Sequence, residues 1–141
     1  MGINIRNSEG YIDPTAYEAL TRIWEVEKTK AFRPLVFICS PYAGDTELNT
    51  RDAQNYCRFA VGQNCIPIAS HLLFPQFLDD TDEEERGLGL FFSAVLLGKC
   101  AEVWVFGDEL TAGMKSEIAR ARHRNMPIRY FDCSCLEVCK P

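Results

Sequence analysis

Glu102-Val103-Trp104-Val105-Phe106-Gly107-Asp108-Glu109-Leu110-Thr111-Ala112-Gly113-Met114-Lys115-Ser116-Glu117 is the stretch that decides how the chain is read. It opens as an apolar strand, Val103 to Phe106, which Gly107 and Asp108 end. Thr111 then offers a hydroxyl where a helix starts, and Gly113 and Met114 enter that helix. A strand, a glycine-bearing loop and a helix N-terminus together form an anion site. Glu117 lies one turn inside the helix. Met114, Glu117, Ile118 and Ala121 recur at helical spacing, so Glu117 points where the apolar residues point. A carboxylate on that face is costly unless it is paired or used. The competing reading is an exposed helical salt bridge to Arg120 or Arg122.

Outward from this segment the pattern repeats. Leu35 to Cys39 is a short, continuously apolar run, as expected of a strand covered on both faces. The loop Ser40-Pro41-Tyr42-Ala43-Gly44-Asp45 follows it. A helix is expected from about Asn49 to Val61, then a second strand from Ile66 to Ala69. Ser70 and His71 begin a long loop to Asp80. Thr81 and Glu84 have the spacing of a capping box. The helix they open runs to about Leu97, and its apolar second half predicts that it is largely buried. A final strand is expected at Ile128 to Phe131. Strands separated by helices imply right-handed crossovers and a mainly parallel sheet. The spacing predicts a flavodoxin-like α/β three-layer sandwich of four to five parallel strands, order 2-1-3-4. Its ligand crevice lies between strands 1 and 3. Residues 1–33 read as an N-terminal helical extension, with Asp13 as cap before Pro14 and with Tyr17, Leu20, Ile23 and Trp24 on one face. Residues 34–132 read as the main domain and 133–141 as a cysteine-rich tail.

Composition narrows the function. The chain has 141 residues, 47% of them hydrophobic and 25% charged, which suits a globular domain with a real core. A net charge of −5 argues against a nucleic-acid polymer as partner. No apolar run is long enough to span a bilayer, and Met1 to Glu9 lacks a signal-peptide core. Seven cysteines without a secretion signal read as reduced thiols of a cytoplasmic protein. Cys133, Cys135 and Cys139 lack a fourth ligand at metal-site spacing, so neither metal nor cofactor is expected.

Four pieces of sequence resemble the nucleoside 2-deoxyribosyltransferase superfamily, in particular a bacterial and phage branch of it. They are Val36-Phe37-Ile38-Cys39-Ser40-Pro41-Tyr42 with Gly44 and Asn49; Ile66-Pro67-Ile68-Ala69-Ser70-His71; Glu85-Arg86 with Gly89; and Trp104 to Ala121 with Gly113 four residues before Glu117. The resemblance implies that Glu117 attacks the anomeric carbon of a nucleoside or nucleotide, releasing the base. It also implies a homodimer or higher homo-oligomer, whose interface the first helix with Trp24 is a candidate to supply. Cleaving the N-glycosidic bond builds oxocarbenium character that a nearby carboxylate stabilises or traps. The leaving base needs a proton, and Asp108 and Asp45 are the nearest candidates in sequence. Thr111 with the Gly113 and Met114 amides is a candidate phosphate cradle, as in nucleotide-hydrolysing relatives. Ser40, Pro41, Tyr42, Gly44, Asp45, His71, Arg86 and Gly107 complete the candidate ligand-binding set. Thr111 and Ala112 stand where transferase relatives carry an acidic residue, Ser40-Pro41 replaces a commoner Gly-Pro, and no C-terminal Asn or Asp is evident for a neighbouring subunit's site. A non-catalytic nucleotide sensor or sequestering module therefore stays open beside the enzyme.

Overall fold

The computed structural model describes residues 14–29 and 32–139, without the side chains of Pro14 and residues 23–29. The chain forms two units, Met1–Phe32 and Arg33–Pro141. The first contains helix α1 (Pro14–Thr29). Tyr17 and Leu20 on it are exposed. The expected cap at Asp13 and the side chains of Ile23 and Trp24 lie outside the described residues.

The second unit runs β1 (Leu35–Cys39), α2 (Thr46–Gly62), β2 (Ile66–Ile68), α3 (Ser70–Leu73), a 3-10 turn (Phe74–Gln76), α4 (Glu83–Lys99), β3 (Glu102–Phe106), α5 (Ala112–His123), β4 (Ile128–Phe131) and β5 (Glu137–Val138). The sheet order is 2-1-3-4-5. The first four strands are parallel, with Cys39 opposite Val105 and Phe106 opposite Phe131. The fifth pairs antiparallel with β4, so the tail adds a short edge strand to the expected order. Asp132 turns the chain into it, accepting from the Ser134 and Leu136 amides. Arg129 on β4 then grips Glu137 on β5 with two hydrogen bonds, at 2.7 and 3.0 Å.

The two-residue period of a strand sorts the core into two layers. Phe37 and Cys39 of β1 and Val103 and Val105 of β3 face Leu97, Met114, Ile118 and Ala121 of α4 and α5. Val36, Ile38, Trp104 and Phe106 face Tyr56 and Ala60 of α2 and Phe131 of β4. The Tyr56 and Phe131 rings stack on Phe106, at centroid distances of 4.2 and 4.9 Å. Both faces of β1 and β3 are thus covered, which is why their sequences are apolar without alternation. With α2 on one face and α5 on the other, the crossovers after β1 and β3 part at the sheet's C-terminal edge and open a crevice.

Four expectations need correction. Ser70 and His71 do not begin a loop but open the short helix α3, which runs on into the 3-10 turn at Phe74–Gln76. Helix α4 is capped by Asp82, whose carboxylate accepts from the Glu84 amide, and not by Thr81. The Thr81 amide and hydroxyl both donate to Asp79 instead. Helix α2 begins at Thr46, three residues before Asn49, because Asp45 caps it through the Leu48 amide. Helix α4 is not largely buried: Leu97 is its one fully buried residue, and Leu88, Leu90, Phe91 and Val95 are exposed. The helix is apolar on more than one side, and the sheet covers only the side that carries Leu97.

Thr111 caps α5 as expected, accepting from the Met114 amide at 3.2 Å. Replacing it with alanine leaves that amide without its partner. Thr111→Ala is expected to cost about 1 kcal/mol of stability, measurable as a lower urea midpoint at unchanged slope.

Candidate active site

A cavity of about 300 Å³ opens at the C-terminal edge of β1 and β3. Three walls come from loops and helix ends that the fold brings together. The end of β1 supplies Ser40 and Tyr42, the start of α3 supplies Ser70 and His71, and the first turns of α5 supply Thr111 to Met114 and Glu117. The fourth wall is the segment from Phe74 to Asp80 with the N-terminal half of α4, including Glu85, Arg86 and Ser93.

Glu117 faces inward with Met114, Ile118 and Ala121, which are all but fully buried. Burial among them pushes its carboxyl up to about 7, partly offset by a hydrogen bond from Cys39. The ion pairs among the described residues join Arg129 to Glu102 and Glu137. Arg122 instead donates to the Tyr130 hydroxyl at 3.3 Å. The alternative of a salt bridge to Arg120 or Arg122 therefore gives way to a desolvated carboxyl on the cavity wall.

Opposite corners are set by neutral groups. Ser40 Oγ lies 3.2 Å from His71 Nε2, and the Tyr42 ring tilts against the imidazole at 5.5 Å. Burial lowers His71 to about 4, so the ring is uncharged at neutral pH and carries one N–H and one lone pair. Tyr42 is held from the other side, because the Asn49 amide donates to the Tyr42 and Ala43 carbonyls at 3.1 and 3.0 Å.

Of the residues expected from sequence, Ser40, Tyr42, His71, Arg86, Thr111, Gly113, Met114 and Glu117 line the cavity together. Pro41, Gly44, Asp45, Gly107 and Asp108 do not. Gly44 and Gly107 have φ of 97° and 100°, the left-handed region that glycine fills without strain. They shape the loops from behind. Asp45 is engaged as the α2 cap. Asp108 is exposed, and its charge is felt by Tyr56, in the core layer on the opposite side of the sheet. The carboxylates that do share the cavity with Glu117 are Asp80 and Glu85. Sequence reasoning gave neither a site role, although Glu85 stands beside Arg86 in one of the resembling pieces. The Met114 amide is taken by Thr111, which leaves Gly113 N–H and the Thr111 hydroxyl proton for an anion. Among the described residues no cluster of three His, Cys, Asp or Glu side chains is placed to hold a metal, and no helix is long and apolar enough to cross a membrane.

A family model described as "Domain of unknown function (DUF7768)" matches residues 34–131, from the residue before β1 to the end of β4, and so takes in the whole cavity lining. No curated protein matches the chain.

Proposed function

This chain belongs to the DUF7768 family, and we propose that it cleaves the N-glycosidic bond of a nucleoside or nucleotide, with Glu117 as nucleophile. One observation carries the reading: a carboxylate desolvated on the wall of a ligand-sized cavity, with no cation among the described residues paired to it. Such a group is expensive in a merely structural role and is suited to developing positive charge at a sugar carbon. The likeness of Trp104 to Ala121 to the deoxyribosyltransferase pattern supports the same role.

In this scheme Glu117 attacks the anomeric carbon as the bond to the base breaks. The electron pair leaves with the base nitrogen, which takes a proton from Glu85, Asp80 or a cavity water. Water or a second base then attacks the glycosyl ester and frees Glu117. Tyr42 and His71 supply the aromatic corner for the base, and Ser40 with the neutral imidazole supplies a hydrogen-bonding edge. Arg86 with the α5 N-terminus suits a 5′-phosphate. The test is incubation with a panel of nucleosides and their monophosphates, with chromatography for free base. Release of base supports the reading. Stabilisation by a nucleotide that is recovered intact identifies a binder, and neither effect with any compound removes both.

We place the protein in the cytoplasm, in keeping with its free cysteines, and as a homo-oligomer. Leu88, Phe91 and Val95 form an exposed apolar stripe along α4, three and four residues apart. Other residues of the same helix line the cavity, so a second copy on the stripe would stand beside the site. Phe91→Glu is expected to halve the mass measured by sedimentation equilibrium. An unchanged mass would remove this interface.

A further inference from the structure

We infer that Ser70 and His71 together read the hydrogen-bonding edge of the base, and that the bond between His71 and Ser40 lets them read it in either sense. This deepens the reading of the cavity as a nucleoside site and rests on it. Ser70 is the first residue of α3 and is buried, with 6% of its surface exposed. A serine at a helix start is ordinarily spent as a cap, but Ala69 holds the cap position here and no side chain caps the helix. Among the described residues the Ser70 hydroxyl has no hydrogen-bond partner, and yet no fully buried side-chain oxygen or nitrogen lacks one. Its Oγ is therefore open to the space that Ser70 lines, which is the cavity. The same holds for one nitrogen of His71. Nε2 lies 3.2 Å from Ser40 Oγ, and Nδ1 has no partner among the described residues. Two adjacent residues thus bring unpaired polar atoms to one wall, and the Tyr42 ring, 5.5 Å from the imidazole, gives that wall an aromatic face.

Both atoms can give or take a hydrogen bond. A hydroxyl rotates to do either, and a neutral imidazole does so by changing tautomer. When the Ser40 hydroxyl donates to Nε2, the ring proton sits on Nδ1 and that nitrogen donates to the ligand. When Nε2–H donates to Ser40 Oγ, Nδ1 carries the lone pair and accepts. The Ser40 bond survives both ways, so the exchange sacrifices no contact. A charged ring would donate from both nitrogens and lose the second state; burial holds the ring neutral, at about 4. Asp80, Glu85 and Arg86 belong to the wall formed with α4, so no charge among them sits beside this pair in sequence to favour one state. An oxo base presents a carbonyl oxygen beside a ring N–H, and an amino base presents an amino group beside a bare ring nitrogen. These are opposite patterns of donor and acceptor on the same edge. Ser70 and Nδ1 match either, so the site takes oxo and amino bases alike.

The experiment titrates the full chain with free bases, so no bond is cleaved and the chemistry of Glu117 does not enter. The probes are two pairs of oxo and amino base, hypoxanthine with adenine and uracil with cytosine. Nitrogen-15 NMR of the histidine rings shows which His71 nitrogen carries the proton, and His71→Asn tells its signals from those of His123. Within at least one pair both bases are expected to bind, with opposite tautomers of His71 in the two complexes. Ser70→Ala is expected to weaken both by roughly three- to tenfold. A wall that accepted both bases by shape alone would leave the tautomer unchanged between them. One tautomer with both members of a pair, affinities untouched by Ser70→Ala, only one member of each pair binding, or no binding by any of the four overturns the inference. If Ser70→Ala does not fold, the tautomers alone decide. Release of base from nucleosides judges Glu117 separately, whichever result is found.

Discussion

Glu117→Gln is expected to lower the rate of base release at least about a thousandfold, with nucleoside binding largely retained. The amide is nearly isosteric with the protonated acid, so the cavity keeps its shape, but it cannot attack a sugar carbon. The pH profile of the wild type gives a second handle. Only the ionised carboxylate is nucleophilic, and Glu117 ionises near 7. The rate should therefore rise with pH through about 7 and level off above it. Steady-state rates from pH 5 to 9 check this. A profile flat across 7, or a Gln variant as fast as wild type, would remove Glu117 from the chemistry.

The same substitution should stabilise the protein in alkali. The carboxyl is raised from 4.5 to about 7 on folding, so the folded state binds more protons than the unfolded state between these values. Its contribution to stability is then fully present below pH 4.5 and lost as pH rises through 7. The loss is at most about 3 kcal/mol at pH 8, less to the extent that cavity water screens the group. Glu117→Gln carries no such loss, so at pH 8 it should unfold several degrees higher than wild type. His71 tilts the other way. Its fall from 6.5 to about 4 on folding gives stability present above pH 6.5 and lost as pH falls through 4. In the wild type the two slopes oppose each other between about pH 4.5 and 6.5. Glu117→Gln unmasks the histidine, so its stability should rise with pH up to 6.5, whereas His71→Asn should show the reverse slope up to 7. Denaturant titrations at pH 5, 6.5 and 8 separate these cases; parallel curves for all three proteins would show that neither group is desolvated.

The fold was legible wherever a strand is covered on both faces. Leu35–Cys39 and Val103–Phe106 are unbroken apolar runs, and unbroken runs mark central parallel strands. β5 was not legible, because two residues carry no period and their pairing depends on Asp132 and on Arg129 reaching Glu137. The exposure of α4 was hidden for a related reason. Apolar residues announce that a helix is covered by something, and the sequence does not say whether by its own sheet or by another surface. At the site, Glu117 was legible because helical spacing fixes its direction once Met114 and Ile118 are core. Asp45 and Asp108 were placed by nearness in sequence to the crevice, but a loop aspartate is equally a cap or a turn residue, and Asp45 is a cap here. The part of the wall from Phe74 to Asp80 comes from a segment without periodicity, and only its packing against the N-terminal half of α4 brings it to the cavity.

The account stands on whether the Glu117 carboxylate reaches the anomeric carbon. Acid quenching of the enzyme during turnover of a nucleoside that releases base, followed by mass spectrometry of its peptides, asks this directly. The account predicts a mass increase equal to the sugar residue, on the peptide that holds Glu117 and absent from Glu117→Gln. Base released in full with the sugar on another residue, or with the adduct persisting in the Gln variant, would contradict it.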